Sequence, residues 1–188
     1  TYIQAKGGVI QSEDFEYYKV HWRDPVSFQY EDLTITSMGP PSSGGICLGQ
    51  IMGMLEPYDF ENLDHNNALY IQLLTEAERR AYADRSHYLG DPDFVSIPTE
   101  QLLSRAYLEQ KMASFDPKRA TASEHIAHGP LIGHESDETT HYSIVDPFGN
   151  AISVTTTING AYGSKLFDPE LGFFYNNEMD DFSAKPGT

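Results

Sequence analysis

The chain has 188 residues, 39% of them hydrophobic, which suffices for one domain of ordinary size with a core of its own. Acidic residues outnumber basic ones by 28 to 12, a formal charge of −16 at pH 7, and that field repels nucleic acid phosphates and anionic membranes, so neither is expected as a partner. No apolar run approaches the roughly 18 residues of a membrane-spanning helix, and the opening TYIQAKGGVI has neither the charged nor the apolar region of a signal peptide.

In chain order, SEDFEYYKVHW predicts a short helix followed by an extended segment, and SFQYEDLTITSM alternates as a strand does. GPPSSGG, Gly39 to Gly45, reads as a tight structural turn; it lacks the Gly-Lys-Ser/Thr ending of a phosphate loop. From Gly45 to Leu55 the apolar residues are dense enough for a buried helix, stopped by Pro57. Cys47 lies in this run, forms no internal disulfide because it is the only cysteine, and is expected to pack as a small hydrophobe. The longest predicted helix follows, with Tyr70, Leu73, Leu74, Ala77, Ala81 and Tyr88 at helical spacing and Gln72, Glu76, Arg79 and Arg80 on the other side. GDPDF is a turn, after which Pro98 fits the first position of a third helix carrying Leu102, Leu103, Ala106, Tyr107 and Met112.

From Asp116 to Glu138 periodicity is lost and the composition is that of an exposed linker. Its histidines, His125, His128 and His134, are loosely spaced with no cysteine beside them, so no metal is expected there. The period then becomes two: HYSIVD, the turn PFGN and AISVTTT predict a β-hairpin with a four-residue loop. With Asp146 facing Ala151, Thr140 falls opposite Thr157 and Thr139 opposite Ile158, a bulge shifting this by one, and a cluster of hydroxyls forms at the hairpin's open end.

Strand propensity accounts for Thr155 and Thr156. Thr139 is different, because it stands where an acidic linker turns into a strand and has no packing reason to carry a hydroxyl. If the bond between Glu138 and Thr139 were broken, Thr139 would gain a free α-amino group, of reference pKa about 7.7–8.0, able to act as general base for the neighbouring oxygen. Nucleophile and base would then be one residue. Further on, YNNEMDDFS, Tyr175 to Ser183, packs two amides and three carboxylates together. It reads as a capped helix start, a solvated acidic loop, or a pocket in which Glu178 and Asp181 surround an ammonium group; the spacing and glycine of a calcium loop are absent.

These motifs closely resemble the gamma-glutamyltranspeptidase family of N-terminal nucleophile hydrolases. TTHYSIVD with Gly149 and Asn150, TTTIN and NNEMDDFSAKPG are similar to the family's small-subunit motifs, and MGPPSSGG and AYADRSHYLGDPDF to those of its large subunit. The resemblance implies an α/β (α+β) chain forming part of a four-layer αββα sandwich, with residues 1–138 from the large-subunit region and 139–188 from the small. It implies self-cleavage between Glu138 and Thr139, and a threonyl acyl-enzyme that passes the γ-glutamyl group of glutathione or a related compound to water, an amino acid or a peptide. By the same resemblance Thr157 hydrogen-bonds the nucleophile, Asn159, Glu178 and Asp181 hold the substrate's α-amino group, and no cofactor is needed. A periplasmic or secreted parent is implied as well. The family's arginine for the substrate carboxylate and its oxyanion-hole serines and glycines match nothing here, so the expectation is an internal fragment, silent alone and able to self-associate through uncovered edges. A related acylase and a non-catalytic binding module are the alternatives.

Overall fold

The computed structural model describes residues 2–60, 62–126 and 140–181, the side chains of 180 and 181 aside. They fall into two units, one of residues 1–20 with 133–188 and the other of residues 21–132. At the start of the first unit lie two short helices, α1 (Tyr2–Ala5) and α2 (Ser12–Tyr17), with no buried residues. The backbone N–H of Gln11 donates to Asp14 Oδ2 at 2.8 Å, half of a capping box that starts α2.

The second unit opens with a hairpin where the sequence suggested one strand. β1 (Val26–Tyr30) and β2 (Leu33–Ser37) run antiparallel, with Tyr30 paired to Leu33. Glu31 takes the turn in the left-handed region at φ 52°. Alternation of period two continues on both sides of such a tight turn, which is why it looks like a single strand.

Helix α3 (Gly44–Leu55) buries Ile46, Cys47, Met54 and Leu55. Helix α4 (Ala68–Tyr88) starts where Asn67 Oδ1 accepts the Tyr70 N–H at 2.8 Å and ends with Arg85 and His87 in its last turn, favourable to the helix dipole. Leu73, Ala77 and Ala81 of α4 join Met54 and Leu55 of α3 in the main core. The expected third helix is two pieces, α5 (Thr99–Leu102) and α6 (Arg105–Met112), and Pro98 caps the first from outside. Ser104 causes the break: its hydroxyl donates to the Gln101 carbonyl at 2.9 Å and its backbone is extended at ψ 138°. Leu108 and Met112 complete the main core, while Val26, Ile46 and Leu102 form a second one.

The polar side of α4 faces the interior. Glu76 and Arg80, expected opposite the apolar stripe, are each 2% exposed, and Asp84 is 1% exposed. Arg80 pairs with Glu76 and donates to the Lys111 carbonyl, Ser114 Oγ and Thr121 Oγ1. Asp84 accepts from Gln50 Nε2, the Tyr107 hydroxyl and Lys111 Nζ at 2.7–2.9 Å. Residues 116–126, read from sequence as the start of a linker, are therefore tied to α4: the Thr121 N–H donates to Glu76 Oε1, and Arg79 donates to the Thr121 carbonyl and Ser123 Oγ. His125 lies in the short 3-10 turn that follows; His128 and His134 lie outside the described residues.

In the first unit β3 (Thr140–Val145) pairs antiparallel with β4 (Ala151–Thr156). The register differs by one residue from the expected one: Val145 pairs with Ala151 and Thr140 with Thr156. The loop is three residues long, because the Asp146 N–H donates to the Asn150 carbonyl and the Gly149 N–H to the Asp146 carbonyl. Gly149 at φ 87° makes this possible, the left-handed step after a tight turn that forms a one-residue bulge. A smaller hairpin of β5 (Phe167–Asp168) and β6 (Phe173–Phe174) leads into the 3-10 turn Glu178–Asp181. The chain is thus of mixed α/β character, with antiparallel two-stranded ladders among the described residues.

Candidate active site

Two segments carry the candidate residues that the structure describes. One leaves β4 with Thr157 and Asn159; the other leaves β6 and reaches Glu178. Tyr175 lines up the second segment, since its N–H donates to the Leu166 carbonyl while its own carbonyl accepts from the Ser164 N–H and hydroxyl. Gly163 sits against that carbonyl at φ 52°, where any Cβ would collide with the Tyr175 oxygen.

Asp168 holds the turn between β5 and β6. Its Oδ1 accepts from the Glu170 and Leu171 N–H groups at 3.0 Å each, and its Oδ2 accepts from the Tyr175 hydroxyl at 3.1 Å. The Leu171 N–H, with those of Glu170 and the Tyr175 hydroxyl, holds the Asp168 carboxyl below its usual range although burial opposes this.

The two segments are joined by hydrogen bonds. Asn159, at φ 70°, donates its N–H to Thr157 Oγ1 at 3.0 Å and its side-chain Nδ2 to the Asn177 carbonyl at 3.1 Å. Asn177 Oδ1 accepts the Gly160 N–H at 2.8 Å, and its N–H donates to the Ile158 carbonyl at 3.3 Å. Glu178, the next residue, is partly buried, and its N–H donates to Asn176 Oδ1 at 3.0 Å, starting the 3-10 turn. Thr157, Asn159 and Asn177 are thereby bonded to one another, and Glu178 follows Asn177 directly in the chain. Asp181 ends that turn, while Thr139 and Glu138, as well as the Asp181 side chain, lie outside the described residues.

Sequence reading missed Asn177 as the bridge and Asp168 as the brace. A signal existed for the second, since FDPELG has the Asp-Pro start and later glycine of a side-chain-capped turn. It also missed His141, whose Nδ1 lies 2.9 Å from Thr155 Oγ1 and whose Nε2 lies 3.0 Å from Ser153 Oγ across the hairpin. Among the described residues no group of three His, Cys, Asp or Glu is placed to hold a metal ion, and no described helix is long and apolar enough to cross a membrane.

The family described as gamma-glutamyltranspeptidase matches residues 1–188. The chain belongs to that family. To the glutathione hydrolase proenzyme of Escherichia coli (strain K12) this family member is 46% identical over 185 residues, covering 98% of this chain and 32% of the relative. To the acylase ACY 1 proenzyme of Pseudomonas sp. (strain SE83) it is 35% identical, covering 99% of this chain and 33% of the relative. Its fold matches the crystal structure of Helicobacter pylori gamma-glutamyltranspeptidase with a TM-score of 0.62 and 42% identity, over 70% of this chain and 38% of that one. The chain spans about a third of the length of the curated relatives it matches.

Proposed function

We propose that these residues belong to an enzyme that transfers the γ-glutamyl group of glutathione, or a related γ-glutamyl compound, to water or to an amino acid or peptide. The observation that carries this reading is the bonded set of Thr157, Asn159 and Asn177, with Glu178 next to it in sequence, in a chain of this family. The relative from Escherichia coli is named a glutathione hydrolase proenzyme, which supports the hydrolytic half of this reading.

Thr139 is the proposed nucleophile, exposed by cleavage of the Glu138–Thr139 bond. The outermost pair in the β3–β4 ladder is Thr140 with Thr156, and their neighbours outward in the sequence are Thr139 and Thr157. In the proposed step Thr139 Oγ attacks the γ-carbonyl carbon and its proton passes to the α-amino group of the same residue. That proton then goes to the departing amine as the carbon–nitrogen bond breaks, leaving a γ-glutamyl ester. Water or an amine attacks the ester and restores the hydroxyl. Thr157 orients Thr139 Oγ; Asn159, Glu178 and Asp181 hold the substrate's ammonium group, whose attraction to a carboxylate at 4 Å grows from about 1 kcal/mol in water to about 4 at an effective dielectric of 20.

Residues 1–138 then belong to the large and 139–188 to the small subunit region of a periplasmic or secreted precursor, and these 188 residues alone are proposed to be silent. Intact-mass measurement of the full-length precursor tests the reading. Two products cut between Glu138 and Thr139, and a single uncut chain for Thr139→Ala, are expected; an uncut and inactive wild type would support a binding module instead. The 35% identity to an acylase favours a second reading with another acyl group. Free glutamate should compete with the acyl substrate under the first reading, in a manner lost on Asp181→Ala, and should not compete under the second.

A further inference from the structure

We infer that Asn177 is a positioning residue for recognition of the substrate's α-amino group, an inference that rests on the γ-glutamyl reading above. Asn177 connects the two segments that carry the proposed ammonium-holding residues, through hydrogen bonds made by three different atoms. Its Oδ1 accepts the Gly160 N–H at 2.8 Å, its carbonyl accepts Asn159 Nδ2 at 3.1 Å, and its N–H donates to the Ile158 carbonyl at 3.3 Å.

The local backbone gives this bridge its importance. Asn159 stands at φ 70°, a left-handed conformation that a residue with a side chain adopts only with support from its surroundings. Support comes from both sides, through Thr157 Oγ1 accepting the Asn159 N–H and through Asn177 holding the residues on either side of Asn159. Asn177 immediately precedes Glu178, so a shift of its side chain off Gly160 moves the Asn159 amide and the Glu178 carboxylate relative to each other. A substrate whose ammonium must meet both groups feels that shift; an acyl chain without the ammonium does not.

The test compares two chromogenic substrates on the processed, full-length protein: a γ-glutamyl anilide and the matching glutaryl anilide, which lacks the α-amino group. Asn177→Ala should lower the ratio of their kcat/KM values by about tenfold, chiefly by raising KM for the γ-glutamyl compound, as expected when one hydrogen bond that sets a site is lost. Asn177→Asp keeps an acceptor for the Gly160 N–H and should stay within about threefold of wild type in that ratio. Cleavage between Glu138 and Thr139 in each variant serves as the check of folding. Equal losses on both substrates, or a ratio that collapses as far in Asn177→Asp as in Asn177→Ala, would overturn the positioning role. If Asn177→Ala does not fold, Asn177→Asp decides the matter alone, a kept ratio supporting the role and a lost one refuting it. Wild-type protein that shows no preference for the γ-glutamyl anilide would overturn the γ-glutamyl reading itself, and this inference with it.

Discussion

Glu76 and Arg80 stand one turn apart on α4 and form an ion pair in which each side chain is 2% exposed. Arg80 spends its remaining donors on the carbonyls of Glu76 and Lys111 and the hydroxyls of Ser114 and Thr121, so the buried guanidinium is satisfied from several directions. The other oxygen of Glu76 takes the Thr121 N–H at 2.8 Å and Arg79 at 3.2 Å. One pair thus joins α4 to the end of α6 and to the chain that leaves it.

Removing one partner leaves the other charged and buried. Arg80→Met should destabilise the protein by up to about 3–5 kcal/mol, because the buried Glu76 carboxylate keeps the partly exposed Arg79 but loses the buried cation on its other oxygen. The double variant Glu76→Leu with Arg80→Met should recover a large part of that loss. Urea titrations of the single and double variants supply the cycle, and additive losses would show that the two side chains are not coupled.

Acid should act on the same group. Burial by itself would raise the Glu76 carboxyl, but the hydrogen bond from Arg80 and those from Thr121 outweigh it and hold the group below its ordinary 4.5. Its folded-state pKa is therefore lower than its unfolded one, so near that value the unfolded chain binds more protons. The stability it contributes is present above about pH 4.5 and lost as pH falls through the folded value. Glu76→Gln should flatten the fall of stability with acid in that window, as read from urea midpoints at a series of pH values. Asp146 and Asp168, whose carboxyls are also held low, by Asn150 and by the Leu171 N–H first, keep part of the slope in the variant.

The apolar frame of the second unit was legible because Leu73, Ala77 and Ala81 recur at helical spacing and all three are buried. The polar residues beside them were not. An ion pair four residues apart on a helix looks the same in sequence whether it faces water or the interior, and only the partners from residues 111–121 decide which. Local chemistry explains the other differences: a hydroxyl at Ser104 splits a helix, Glu31 folds a strand into a hairpin, and Gly149 shortens a loop by one residue and shifts the ladder with it. At the site, the motif residues Thr157, Asn159 and Glu178 could be picked out by resemblance. Asn177 could not be assigned its part, since two of its three bridging contacts use main-chain atoms that carry no mark in the sequence.

Gly163 is predicted to tolerate no side chain. Its φ of 52° and the Tyr175 carbonyl against its Cα mean that Gly163→Ala meets both a backbone penalty and a collision with main-chain atoms, Asn176 Cα lying 2.9 Å from the added carbon. Relief requires the 175–178 segment to move away, at a cost of order 1–3 kcal/mol from the strained conformation alone. Hydrogen exchange should report it: the Ser164 and Gly160 N–H groups, bonded to Tyr175 and Asn177, should lose protection, while those of α4 keep theirs.

Thr157 offers the sharpest separation between shape and hydrogen bonding. Its Oγ1 accepts the Asn159 N–H at 3.0 Å, and in the proposed mechanism the same hydroxyl orients the nucleophile. Thr157→Val keeps the branched shape but removes the oxygen, so the Asn159 N–H loses this acceptor and the left-handed turn loses one of its supports. Thr157→Ser keeps the oxygen and drops only a methyl group. In the processed full-length protein Thr157→Val should lower kcat toward a γ-glutamyl anilide by about tenfold or more, and Thr157→Ser should stay within a few-fold of wild type. The order of the two decides the matter. If Val turned over faster than Ser, the methyl group and its packing would set the position of this residue, and the hydroxyl would have no part in orienting the attack.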